Sequence, residues 1–236
     1  MTEVKICADK TALIASAQQF IINKIKDTIT KKDLCTIALA GGSTPKPIYE
    51  AIALSDLSWD KIHVFWGDER YVPPTHPDSN QKMAREAWLN KVSIPETNIH
   101  PMPTDGANPT EDAQKHDQEI KDFFQEGFPS FDIILLGMGD DGHTASLFPH
   151  TEALTKCDRL ITVGNNKDSL RLTFTIPLIN QAHCVIFLVS GASKQEALVQ
   201  VFGDSAENKQ YPSKFIQPQG ELIWFVDEAA YGAINH

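Results

Sequence analysis

Cysteine is scarce in this 236-residue chain, and its four copies, Cys7, Cys35, Cys157 and Cys184, are scattered with no C-x-x-C pair. That spacing argues against a zinc ribbon or a redox dithiol, and because three of the four lie in or beside strand-like runs, buried reduced thiols are expected. Long apolar runs are absent too. None approaches the about 20 residues that span a bilayer, and MTEVKICADK lacks the hydrophobic core of a signal peptide. Basic residues are in deficit, 21 Lys and Arg against 31 Asp and Glu, for a net charge of −10. A phosphate backbone asks for clustered cations, so neither nucleic acid nor membrane is expected as a partner. A small anion stays open, since a few local cations and backbone N–H groups suffice to hold one. No H-E-x-x-H or H-x₃-H spacing occurs among the histidines, and no metal or other cofactor is expected. There is no internal repeat and no low-complexity tract. A cytoplasmic enzyme is the simplest class.

What is present is alternation. Val4–Ala8, Cys35–Ala40, Ile62–Trp66, Ile133–Leu136, Val185–Val189 and Leu222–Val226 are short apolar runs rich in β-formers. Between them, Thr11–Ile29, Lys46–Leu54, Ser79–Leu89, Thr110–Phe124 and Ser193–Phe202 carry helical spacing, with a short helix expected after the last strand. Strands of continuous apolar character have both faces covered. The pattern predicts an α/β fold: three layers, a mostly parallel twisted sheet with helices on both faces, Rossmann-like, with residues 1–236 as a single domain. The proline-rich pieces Tyr71–Asp78 and Pro95–Pro109 are expected as an ordered loop and as an excursion or edge segment.

Four strand ends carry chemistry-bearing residues. Gly41-Gly42-Ser43-Thr44-Pro45 joins a strand to a helix. Its backbone N–H groups and hydroxyls suit a phosphate, though a plain turn with Ser43 or Thr44 as helix cap reads equally from these residues. Trp66-Gly67-Asp68-Glu69-Arg70-Tyr71 is either a hydroxyl- and oxyanion-binding cluster or a surface ion-pair cluster. Phe131–Pro149 holds Asp140, Asp141 and His143 in a glycine-rich loop, a general base with its orienting carboxylate, with Thr144-Ala145-Ser146 expected to open a helix. Its G-x-G-x-x-G spacing is not read as a dinucleotide site, because Asp140 and Asp141 inside the turn would repel a pyrophosphate. Ser190-Gly191-Ala192-Ser193-Lys194 puts a cation in the first turn of a helix, unfavourable unless an anion lies near. Arg171 sits in a separate strand-like run, RLTFTIP. His63, His76, His100, His116, His150, His183 and His236 are read as structural or surface. In a parallel sheet these loops open on one edge, so they can converge.

In order, GGSTPKPIYE, FWGDERYVPPTHPDSN, DIILLGMGDDGHTASLFPHT, RLTFTIPLIN and VSGASK resemble the 6-phosphogluconolactonase family of the pentose phosphate pathway. The resemblance runs from Gly41 to Lys194 and implies the fold shared with glucosamine-6-phosphate deaminases. It implies hydrolysis of 6-phospho-D-glucono-1,5-lactone, a phosphosugar lactone. The phosphate would lie on Gly41, Gly42, Ser43 and Thr44 with Lys194 and Arg171 as counter-charges. His143 would activate water, Asp141 would fix its tautomer, Arg70 would meet the oxyanion, and Asp68 would bind hydroxyls or orient Arg70. A monomer or weak homo-oligomer is expected. The deaminase branch, the alternative, carries H-[IV]-A-F-N-E-P, and Phe148 stands here where its Glu would be. A non-catalytic phosphosugar-binding module is the other alternative, against which the joint presence of His143, Asp141 and Arg70 argues.

Overall fold

The computed structural model describes residues 2–125, 127–166, 169–203 and 210–232, so His236 lies outside the described residues. Within them the strands are β1 (Thr2–Cys7), β2 (Cys35–Leu39), β3 (Ile62–Trp66), β4 (Asp68–Arg70), β5 (Ile133–Leu136), β6 (Ile161–Asn166), β7 (Ser169–Phe174), β8 (Cys184–Val189) and β9 (Glu221–Asp227). The helices are α1 (Lys10–Lys32), α2 (Pro45–Ile52), α3 (Asn80–Ala87), α4 (Pro109–Phe124), α5 (Ile176–Asn180), α6 (Gln195–Phe202) and α7 (Glu228–Tyr231). No helix among them is long and apolar enough to cross a membrane.

Six strands form one parallel sheet in the order β1-β9-β8-β5-β2-β3. Side chains alternate across a strand, so the unbroken apolar runs feed two cores. Ile37, Leu39, Ile133, Leu135, Ile186 and Leu188 face one core, which α1 closes with Leu13, Ala17, Ile21 and Ile25. Ala38, Ile134, Leu136, Val185 and Phe187 face the other, with Ile120 of α4 and Leu198 of α6. Helix α1 starts where Asp9 accepts the Ala12 N–H at 2.8 Å. It stops at Asp33, which adopts the left-handed conformation (φ 61°).

The strand-like run around Arg171 belongs to a second sheet that the periodicity did not foretell: antiparallel, three-stranded, in the order β4-β7-β6. It supplies Ile161, Leu172 and Phe174 to the α4 side of the main sheet. Strand β4 is only Asp68-Glu69-Arg70, too short and too charged to announce itself. The proline-bearing segment before α4 does meet the sheet edge, where Ile99 bridges Val64. All four cysteines are free; Cys35 and Cys184 are buried, but Cys157 is exposed, because it lies in a surface turn before β6 and not in a strand.

Among the other histidines, His63 Nδ1 and His100 Nε2 lie 3.0 Å apart, and the His100 ring stacks on Phe65 at 4.3 Å. Burial, with His63 and His116 nearby, pushes His100 down to about 4. Burial lowers His63 as well. An unfolded imidazole titrates near 6.5. Between those values the unfolded chain binds more protons than the folded one, so stability rises with pH there and is lost as pH falls. Tm should therefore drop by several degrees from pH 6.5 to pH 4, and His100→Phe should lose less over that range. Parallel Tm–pH curves for the two proteins would remove the imidazole pair from the account.

Candidate functional site

The chain runs from β2 outward to β3, then returns to place β5 on the other side of β2. Such a reversal splays the two loops that follow β2 and β5, and it opens a crevice at the carboxyl ends of the strands. A cleft of about 230 Å³ lies there. Gly41 and Gly42 after β2, Asp68 and Arg70 after β3, Gly137–Gly139 and His143 after β5, Lys194 after β8 and Arg171 from β7 all line it. The loops after β2, β5 and β8 meet at one edge of the parallel sheet, and the antiparallel sheet adds Arg70 and Arg171 to the same cleft.

The β5 loop is held from within. Gly139 N–H donates to the His143 carbonyl at 2.9 Å, Gly142 N–H to the Gly139 carbonyl at 3.0 Å, and the Thr144 hydroxyl to the Gly137 carbonyl at 2.8 Å. From outside, Ser213 clamps the Gly142 carbonyl with both its N–H (2.9 Å) and its hydroxyl (2.8 Å). Asp141 Oδ1 accepts the His143 N–H at 3.0 Å and lies 2.6 Å from His143 Nδ1. A carboxylate can only accept, so Nδ1 carries the proton and Nε2 is left as a base. Burial raises the Asp141 carboxyl, but the hydrogen bonds from His143 outweigh it and hold the group below its ordinary range. Asp141 itself is not part of the cleft lining; it stands behind the imidazole. No helix opens at Thr144. Ala145 is left-handed (φ 46°) and the Leu147 N–H closes a turn on the Thr144 carbonyl, which sends the chain away and sets the Phe148 ring 4.5 Å from that of His143.

Asp68 and Glu69 are buried, not a surface ion-pair cluster. The Ser146 hydroxyl donates to Asp68 Oδ2 at 2.5 Å, and Arg171 Nη1 approaches the same oxygen at 4.0 Å. Arg70 Nη1 donates to the Asp78 carbonyl and to Asn80 Oδ1, both at 2.8 Å. Strand pairing sets Arg70 directly opposite Arg171. Burial lowers the Arg171 guanidinium, and Arg70 adds to this against the pull of Asp68. Its Nε is buried without a hydrogen-bond partner, and the guanidinium lies 5.5 Å above the Phe148 ring.

Lys194 sits in the turn that leads into α6. The anion its position calls for is Asp140: Nζ donates to Asp140 Oδ1 at 2.5 Å, and the Ser193 hydroxyl does so at 3.0 Å. The Lys194 bond, foremost, holds the Asp140 carboxyl below its usual range. Gly42 takes φ 109°, a turn that only glycine makes without strain. Ser43 and Thr44 follow it but do not line the cleft, and the Thr44 side chain makes no cap bond to α2, whose start is set by Pro45 instead. Sequence reasoning missed the parts played by Asn80, Ser146 and Ser213. Asn80 and Ser146 lie inside the recognised stretches with no site role read for them, Ser213 lies outside them, and Ser146 and Ser213 bond to partners far off in the chain, Asp68 and Gly142. Among the described residues no three His, Cys, Asp or Glu side chains gather as a metal-ligand set.

A family model described as glucosamine-6-phosphate isomerases/6-phosphogluconolactonase matches residues 8–224. A 6-phosphogluconolactonase of Synechocystis sp. is 60% identical over 231 residues, covering 97% of this chain and 96% of that protein. One from Nostoc sp. is 59% identical over 230 residues, covering 96% of each. The crystal structure of 6-phosphogluconolactonase from Thermotoga maritima superposes with a TM-score of 0.86 at 30% identity, covering 96% of this chain and all of that one.

Proposed function

The chain belongs to the glucosamine-6-phosphate isomerase/6-phosphogluconolactonase family, and from that membership and the cleft we propose that it hydrolyses 6-phospho-D-glucono-1,5-lactone to 6-phosphogluconate. The observation that carries the reading is the pairing, in one cleft, of an imidazole base backed by a carboxylate with three cations. One of these, Arg171, keeps a buried N–H without an acceptor. A buried donor of that kind suits an anionic group of the substrate.

The phosphate lies on the backbone of the Gly41–Gly42 turn, with Arg171 and Lys194 as counter-charges. Lys194 has three donors and spends one on Asp140. Held at that end, the substrate presents C1 to His143. Nε2 takes a proton from water, the hydroxide adds to C1, and the carbonyl pair moves onto oxygen as an oxyanion that Arg70 stabilises. Collapse re-forms the carbonyl and breaks the bond to the ring oxygen, which takes the proton from Nε2. The new carboxylic acid then ionises. Asp141 keeps Nδ1 protonated throughout, and Asp68, tied to Ser146, binds substrate hydroxyls. Residues 1–236 act as one cytoplasmic domain, a monomer or weak homo-oligomer.

The deaminase alternative loses ground at Phe148, whose ring packs on His143 and cannot relay a proton. The deciding experiment is a coupled lactonase assay corrected for spontaneous hydrolysis. Turnover above that background supports the reading, and a rate equal to it ends it. Lys194→Ala should raise KM for the phosphorylated lactone roughly 10-fold with kcat little changed, since a phosphate contact serves ground and transition states alike. Its preference over the unphosphorylated lactone should shrink in proportion; an unchanged preference would take Lys194 off the phosphate.

A further inference from the structure

Glu69 is 2% exposed and takes no part in lining the cleft. A buried carboxylate is costly unless its oxygens are filled, and here four donors fill them. Oε1 accepts the N–H groups of Arg70 and Asn80, each at 2.8 Å. Oε2 accepts the Gln81 N–H at 2.7 Å and the Ser79 hydroxyl at 3.1 Å. One side chain thus ties β4 to the first turn of α3. Two of the residues it ties, Arg70 and Asn80, both line the cleft and bond to each other, while Asn80 Nδ2 donates back to the Asp68 carbonyl at 3.0 Å. The result is a closed ring of hydrogen bonds under one rim of the cleft.

We infer that Glu69 is a positioning residue for Arg70, the fixed mount from which the guanidinium reaches over the cleft. A helix cap alone would need only the N–H groups of α3; it would not need the bond to Arg70. The need for a mount comes from the ladder: Arg70 faces Arg171, and like charges directly opposite each other push apart. Left to itself, Arg70 would swing outward to solvent. The bond to Asn80 prevents this, and Glu69 sets where both backbones start.

The kinetic readout rests on the lactonase reading; a structural readout does not. In a double-mutant cycle, Glu69→Gln should cut kcat/KM for the lactone roughly 10-fold in the natural chain and less than about 3-fold in an Arg70→Met background. A merely structural role would give equal losses in both, and that result overturns the inference. A crystal structure of Glu69→Gln should show Arg70 Nη1 detached from Asn80; an Arg70 still seated there overturns it as well. If the unaltered protein fails to turn over lactone, the lactonase reading falls and the crystal structure alone decides about Glu69. Should Glu69→Gln not fold, Glu69→Asp replaces it. It keeps the charge but is one methylene short of reaching both backbones, and the same coupling is expected.

Discussion

His143→Ala should lower kcat by about 10²–10⁴-fold with little change in the affinity for phosphorylated product. The imidazole sits in the cleft, its Nδ1 is committed to Asp141 at 2.6 Å, and Nε2 is the nitrogen left for water. Removing it deletes the base and the proton donor to the ring oxygen in one change. The cations remain: Arg70, Arg171 and Lys194 lie on β4, β7 and the β8 loop, and none bonds to His143. Stopped-flow hydrolysis measured against the spontaneous rate, with calorimetric titration of 6-phosphogluconate, separates the two effects. A near-natural kcat would remove His143 as the base.

Gly139→Ala should come close behind, with kcat reduced about 100-fold and Tm nearly unchanged. A Cβ at this position would lie 2.0 Å from His143 Nδ1 and 2.7 Å from Asp141 Oδ1. Both distances are far inside van der Waals contact, so something has to move. The atoms that yield most readily are the ring and the carboxylate, which are the groups whose placement matters to the reaction. A shift near 1 Å breaks their mutual bond or turns Nε2 from the water. The backbone on either side stays pinned by the Gly139–His143 hydrogen bond and by Ser213, so the fold tolerates the change while the chemistry does not. The kinetic constants and melting curve of this single variant check the prediction; natural kcat with a methyl group in place would show that the ring has room to spare.

The main sheet was legible because its strands are buried on both faces and say so in unbroken apolar runs, such as IILL and CVIFLV. The edge on which the loops gather follows from parallel pairing alone, and that edge brings together Gly41, Arg70, His143 and Lys194. The second sheet was not legible. Strand β4 has three residues, all charged, and its partner β7 lies about a hundred positions later, so neither periodicity nor spacing could pair them. The same distance hides Ser146 from Asp68, 78 residues apart, and Ser213 from Gly142, 71 apart. The helix expected at Thr144 fails on one backbone angle at Ala145, an ordinary helix former whose conformation is imposed by the loop around it. Glu69 was visible as one acid in a cluster, but three of its four donors come from a helix start ten to twelve residues on, and only folding reveals them.

The account's central claim is that the carbonyl end of the sugar meets His143 while the phosphate end meets the cations of the same cleft. A crystal structure with 6-phosphogluconate bound tests this most directly. The C1 carboxylate should lie within about 2.6–3.2 Å of His143 Nε2, with the phosphate on the Gly41–Gly42 turn, Arg171 and Lys194. Product bound the other way round, phosphate against the imidazole, or seated outside the cleft altogether, would contradict it.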